Sequence, residues 1–225
     1  MKKELENLKR KVLFCHRCGL YKKRKNPVFG EGSSKAKIMF IGEAPGESED
    51  EKGKPFCGRA GKILGQALER MRLKREKIFI TNLLKCRPPK NRPPKKEEIE
   101  SCVPYLLKQI EIIKPKVICP LGNFSTVFIF STLGGSAVAL RRHSYGASAT
   151  FARPSQPELL RRSRREGGKK YGLEKKFQTI SKFHGKIFRT KKTVIIPFYH
   201  PAAVLYQQRL KKIFFKDFKV LKNLR

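Results

Sequence analysis

Lys35-Ala-Lys-Ile-Met-Phe-Ile-Gly-Glu-Ala-Pro-Gly-Glu-Ser-Glu-Asp50 is the stretch whose reading decides the fold. Its apolar run, Ile38 to Ile41, is short, β-rich and bounded by turn residues, which predicts a buried strand rather than a helix. The strand breaks at Gly42, and a Gly-x-x-Pro-Gly turn follows with the acids Glu47, Glu49 and Asp50. Ligands of open α/β sheets bind just beyond the carboxyl ends of strands, where such loops sit. An ordinary strand-to-loop exit would look similar in these residues alone.

Three further apolar runs repeat the pattern: Ile78–Thr81, Val117–Leu121 and Val194–Tyr199. Helical spacing separates them, with Ile63, Leu64, Ala67 and Leu68 in one segment and Ile99, Val103, Leu106, Leu107 and Ile110 in another. Alternating strands and helices predict an α/β protein, a three-layer α/β/α sandwich around a four-stranded, largely parallel sheet. Right-handed crossovers then place every strand exit on one edge. That edge collects Gly42–Asp50, Asn82, Gly122–Asn123 and His200.

A chain of 225 residues fits one domain, 1–225. Residues 131–170 break its rhythm. They are bounded by Gly-Gly pairs, use arginine where the rest prefers lysine, and read as an inserted basic loop. No apolar run approaches the roughly 20 residues of a spanning helix, and the charged start does not resemble a signal peptide. The expected setting is cytoplasmic, without membrane association.

Fifty-three basic residues face 18 acidic ones, a net charge of +35. Lysine-rich surfaces of hot-adapted proteins normally carry matching glutamates, so the imbalance points to a polyanion, nucleic acid foremost. Six cysteines in such a chain argue for metal ligation or burial rather than a disulfide framework. Cys15-x-x-Cys18 is one chelating pair, and Cys86 with Cys102 is another across a proline-rich loop. Four thiolates in two pairs suit tetrahedral zinc or a [4Fe–4S] cluster equally. Cys119, inside an apolar strand, reads as a small hydrophobe, and Cys57 lies in a turn without a ligand signature.

His200-Pro201 follows the fourth strand directly, and Asn82 ends the second. A histidine there can donate to an anionic oxygen, and an amide can read the edge of a base. Phe56, in a Gly/Pro-rich turn, can stack on a ring or close the core. Each signal is weak alone, because strand-ending histidines and turn-capping asparagines are common.

Together they are specific. Gly42-Glu-Ala-Pro-Gly-Glu-Ser-Glu-Asp50, Gly53-Lys-Pro-Phe-Cys-Gly58, Thr81-Asn-Leu-Leu-Lys-Cys-Arg-Pro-Pro89 and His200-Pro-Ala-Ala203 resemble the motifs of the family 4 uracil-DNA glycosylases, a thermostable bacterial and archaeal branch. The four-cysteine layout matches too, and the likeness covers 1–130 and 171–225.

The resemblance implies a base excision repair enzyme that flips uracil from single- or double-stranded DNA and hydrolyses its N-glycosidic bond. It implies a [4Fe–4S] cluster on Cys15, Cys18, Cys86 and Cys102. It implies uracil contacts from the Gly42, Glu43 and Ala44 backbone, stacking by Phe56, edge pairing by Asn82, exclusion of thymine's methyl by Glu49, and charge stabilisation at O2 by His200. Ala44 stands where other branches hold a water-positioning Asp or Asn. Glu43 is the catalytic carboxylate candidate, Asp50 lies near, and leaving-group stabilisation alone is the other reading. Arg87, Lys90, Arg92 and Arg209 are expected on phosphates, and Val204 and Leu205 either wedge into the duplex or begin the core face of the last helix. A monomer is expected. Two rival functions stay open at this stage: an iron–sulfur or zinc nucleic-acid-binding module without glycosylase activity, and a glycosylase for other deaminated bases.

Overall fold

The computed structural model describes residues 1–133 and 179–224. The inserted segment predicted at 131–170 lies, from 134 onward, outside them. Among the described residues no helix is long and apolar enough to cross a membrane.

The strands are β1 (Glu31–Gly32), β2 (Ile38–Gly42), β3 (Phe79–Asn82), β4 (Val117–Pro120), β5 (Phe188–Arg189) and β6 (Val194–Ile195). They form one sheet in the order β1-β3-β2-β4-β6-β5. The four expected strands make its parallel centre. The sheet is nevertheless six-stranded, because β1 and β5 add short antiparallel edges. Val194–Tyr199 is also less regular than predicted. Pro197 cannot donate to a ladder, yet Ile196 N–H and Phe198 N–H still reach β4 carbonyls at 2.9 Å.

The main helices are α1 (Lys2–Leu13), α2 (Glu47–Lys52), α3 (Arg59–Arg70), α4 (Lys96–Ile113), α5 (Asn123–Leu133), α6 (Thr179–Phe183), α7 (Pro201–Tyr206) and α8 (Gln208–Phe218). Side chains alternate across each strand, so the sheet divides the core in two. Met39, Ile41, Phe79, Ile118 and Ile195 pack against Leu5, Leu8 and Val12 of α1, Ile99, Val103 and Leu106 of α4, and Phe128 and Ile129 of α5. Ile38, Phe40, Ile80, Val117 and Cys119 face the other way, onto Leu64 and Leu68 of α3, Val204 of α7, and Leu210, Phe214 and Phe218 of α8. That is the three-layer α/β/α sandwich, and Cys119 is core as expected.

One sequence expectation changes here, and one open alternative is decided. The acids after Gly46 form the short helix α2 rather than a loop. Asp50 is buried and accepts the Lys25 and Asn26 backbone N–H groups at 3.1–3.4 Å, so it ties the 25–26 turn to α2. Val204 is 1% exposed and belongs to the core, which removes it from the predicted wedge. Its helix packs on α3, and the register turns Val204 inward while leaving Tyr206 76% exposed.

Phe218 stacks on Phe40 (5.9 Å) and meets Phe198 (4.4 Å) and Phe214 (4.7 Å). Phe218→Ala should destabilise the fold by about 3–5 kcal/mol, read from the midpoint of guanidinium unfolding. A loss under about 1 kcal/mol would mean that α8 does not anchor this layer.

Candidate active site and cysteine cavity

Parallel pairing sets Gly42 beside Asn82 at the carboxyl ends of β2 and β3. A methyl built on Gly42 would lie 2.3 Å from Asn82 Oδ1 and 2.7 Å from Phe56 Cζ. Only a residue without a side chain lets the amide and the ring converge there. Gly122, with φ +88°, does the same below His200, since a Cβ would stand 3.0 Å from the His200 Cβ. Phe56 and His200 rings lie 5.8 Å apart. The structure therefore brings Gly42, Phe56, Asn82 and His200 to one place, from segments far apart in sequence.

Asn82 is 1% exposed and its Oδ1 has no hydrogen-bond partner. A buried carbonyl oxygen left unpaired costs about 1–3 kcal/mol. Phe56 is held at φ +49°, the left-handed region, a conformation costing on the order of 1–3 kcal/mol for a bulky residue. Its surroundings over-determine it. Gly61 gives room, since a Cβ there would meet the Phe56 carbonyl oxygen at 1.9 Å. Arg75 donates to the Pro55 carbonyl (2.8 Å) and the Phe56 carbonyl (3.4 Å) and is itself held by Glu31, Nε to Oε1 at 2.8 Å. Neither Arg75 nor Glu31 carries a signal in the sequence that would single it out.

Glu49 has its carboxylate committed. Oε1 accepts the N–H groups of Cys57 (2.9 Å) and Gly58 (2.8 Å), and Oε2 accepts that of Gly46 (3.1 Å). It thereby caps α2 and α3 together, where negative charge is favoured. Cys57 donates its thiol to the Ser48 carbonyl at 3.2 Å and so belongs to the same tie.

His200 Nδ1 accepts the Ala202 N–H at 3.2 Å. The ring proton must then sit on Nε2. Burial pulls the imidazole down to about 4, against a weak opposing pull from Glu49, so it is a neutral Nε2–H donor at physiological pH. Burial alone raises Glu43 to about 7. The Glu43 backbone carbonyl accepts Leu84 N–H at 2.9 Å, and Ala44 is half-buried beside the core.

Of the expected phosphate contacts, Lys90 and Arg209 are exposed. Arg87 is drawn to Asn91 (2.8 Å) and Glu47 (3.2 Å). Arg92 donates to both oxygens of the buried Glu98, at 2.9 and 2.5 Å. That pair clamps the start of α4, so Arg92 serves the fold rather than standing free for a phosphate. Leu205 is half-buried at the surface of α7.

Cys15, Cys18, Cys86 and Cys102 line one cavity at the far side of β3, with Val12 and Tyr105. Among the described residues no three His, Cys, Asp or Glu side chains converge as they would on a single ion. Arg24 Nη1 donates to Cys86 Sγ (3.2 Å) and Lys85 N–H to Cys102 Sγ (3.1 Å). Burial raises the Cys18 and Cys86 thiols, and Cys102 to about 12. Lys85 itself is 1% exposed, and burial draws its ammonium down to about 7 against the pull of the two sulfurs.

Residues 29–221 match the model of the uracil DNA glycosylase superfamily. The chain belongs to that superfamily. It is 41% identical to the type-4 uracil-DNA glycosylase of Sulfurisphaera tokodaii, covering 98% of this chain and 84% of that protein. It is 39% identical to the type-4 uracil-DNA glycosylase of Archaeoglobus fulgidus, covering 98% and 92%, and 41% identical to that of Saccharolobus solfataricus, covering 93% and 81%.

A nitrogen-15 NMR titration checks the histidine directly. His200 should stay neutral with its proton on Nε2 from pH 8 down to 5 and titrate near 4. An ordinary titration near 6.5 would contradict the buried-donor geometry.

Proposed function

We propose that this protein excises uracil from DNA by hydrolysing the N-glycosidic bond, leaving an abasic site. The unpaired, buried Asn82 Oδ1, set against Gly42 beside the Phe56 ring, carries the reading. A target base must leave the duplex to be cut. Uracil offers N3–H as donor and O4 as acceptor, and one amide answers both, Oδ1 taking the proton and Nδ2 donating to O4. Cytosine reverses that pattern and would leave both groups opposed. Phe56 stacks on the flipped ring, and the Gly42–Ala44 backbone lines its edge. Glu49, fixed by three N–H groups, is a rigid wall of the loop, and we assign the exclusion of thymine's methyl group to it.

Cleavage develops negative charge on the uracil and positive charge on the sugar. The neutral His200 donates Nε2–H to O2 as that charge forms, help worth about 10²–10³ in rate. Because its Nδ1 is already occupied and its pKa is low, it stabilises the anion by hydrogen bonding without becoming a cation. Glu43, ionised above about 7, is positioned by sequence beside Gly42 to take a proton from the attacking water. Backbone phosphates favour the cationic sugar, and the excess of 53 bases over 18 acids holds the DNA. Tyr206, with Leu205, is the exposed group fitted to fill the gap in the duplex.

The four thiols fit a [4Fe–4S] cluster. They line one cavity, and two N–H groups already point at the sulfurs of Cys86 and Cys102. Iron would displace the thiol protons that burial retains. A bound cluster would cross-link the segment after α1, through Cys15 and Cys18, to Cys86 and to Cys102 on α4. Purified protein should carry about four irons per chain, and a stoichiometric single zinc would contradict this.

Incubation with a uracil-containing duplex followed by alkali tests the activity. Strand breaks should appear at the uracil alone, and none in the iron-replete protein would defeat the reading. The pH dependence separates the acid–base roles. With Glu43 as base, kcat/KM should rise tenfold per pH unit below about 7 and level off above it. Glu43→Gln should be slow and flat across that range, whereas an unchanged profile in the variant would free Glu43 of the role.

A further inference from the structure

Lys85 is a charged residue in the interior whose ammonium meets no carboxylate. Its Nζ donates to Thr81 Oγ1 (2.6 Å), the Asn82 carbonyl (2.7 Å) and Gln109 Oε1 (2.8 Å). Three donors meet three neutral oxygens, so the group is fully satisfied. Burying an ammonium on neutral partners is nonetheless expensive, and an apolar side chain of similar length would fill the space without that cost. The acceptors show what the charge arranges. Thr81 and Asn82 are the last two residues of β3, and Gln109 comes from α4, with its own Nε2 on the Phe29 carbonyl at 2.7 Å. Thr81 Oγ1 donates to that same carbonyl at 3.0 Å.

The backbone of Lys85 has a second engagement. Its N–H donates to Cys102 Sγ at 3.1 Å, its carbonyl receives Val28 N–H at 2.6 Å, and Cys86 follows it. One residue thus has its main chain in the wall of the cysteine cavity and its side chain on the strand end that presents Asn82. The base-reading Oδ1 has no hydrogen bond of its own. Its direction is therefore set by packing and by the Asn82 backbone, whose carbonyl Lys85 holds.

We propose that Lys85 is the positioning residue for Asn82, carrying the geometry of the cysteine cavity to the amide that reads uracil. This rests on the uracil reading above. It makes recognition of the base depend on how the cavity's wall is held, while DNA affinity, which comes from surface phosphate contacts, does not.

Lys85→Met tests it in the iron-replete enzyme, with four readouts beside activity: iron content, thermal melting, affinity for a uracil-free duplex, and inhibition by free uracil. The expected variant keeps its iron and its affinity for the uracil-free duplex. Its kcat falls about tenfold or more, KM for uracil-DNA stays within about twofold, and inhibition by free uracil weakens by about tenfold. A variant that matches wild type in kcat and in uracil inhibition overturns the proposal. So does one that loses activity only in proportion to lost iron. Should Lys85→Met not fold, Thr81→Val decides. It removes one acceptor of the ammonium, and a kcat lowered about threefold with iron retained supports the proposal, whereas a wild-type kcat overturns it. Wild-type protein without uracil excision would instead defeat the functional reading itself, so the two failures are distinguishable.

Discussion

The missing side chain at Gly42 is the constraint on which the site depends. Parallel register sets this residue beside Asn82, and the loop after α2 brings Phe56 onto the same spot. A single methyl would collide with both, so the amide and the ring could not converge there. The surrounding structure is then organised to hold strained or unpaired groups in place. Arg75 and Glu31 keep Phe56 in a left-handed backbone, Glu49 joins the starts of α2 and α3, and Gly122 admits His200. Asn82, at the centre of this cluster, keeps a buried Oδ1 without a hydrogen-bond partner.

Electrostatics divides the labour. At the surface, unpaired lysines and arginines supply an attraction that is long-range, sensitive to salt and blind to sequence. Inside, the charges are removed rather than added. Desolvation at these half-buried positions lowers His200 and raises Glu43, and Lys85 faces only neutral oxygens. Donors already fixed in place act when charge appears on a leaving group.

Much of this was legible in the sequence, for identifiable reasons. Ile38–Ile41, Phe79–Ile80 and Val117–Cys119 are apolar on both faces of a sheet, a pattern only a buried central strand produces. Their exits could therefore be placed on one edge before any coordinates, and Gly42, Asn82 and His200 with them. What escaped reading depended on long-range partners or on very short elements. Glu31–Gly32 and Phe188–Arg189 are two-residue strands with no periodicity to detect. The acids after Gly46 looked like a loop because glycine supplies no capping side chain, yet Glu49 reaches back to complete the cap. Arg92 reads as a phosphate ligand until Glu98 takes it, and nothing in the sequence pairs Lys85 with Gln109, 24 positions on, which accepts its hydrogen bond. Val204 was poised between wedge and core, and only the packing of α7 on α3 decides for core.

The central claim is that Gly42, Phe56, Asn82 and His200 form one pocket fitted to uracil. It is tested most directly by adding free base to protein labelled with nitrogen-15 at the Asn82 amide and the His200 ring. Uracil should shift the Asn82 Nδ2 and His200 Nε2 resonances together, along one saturation curve, while cytosine at the same concentrations leaves both in place. Resonances unmoved by uracil, or moved equally by cytosine, would contradict the account.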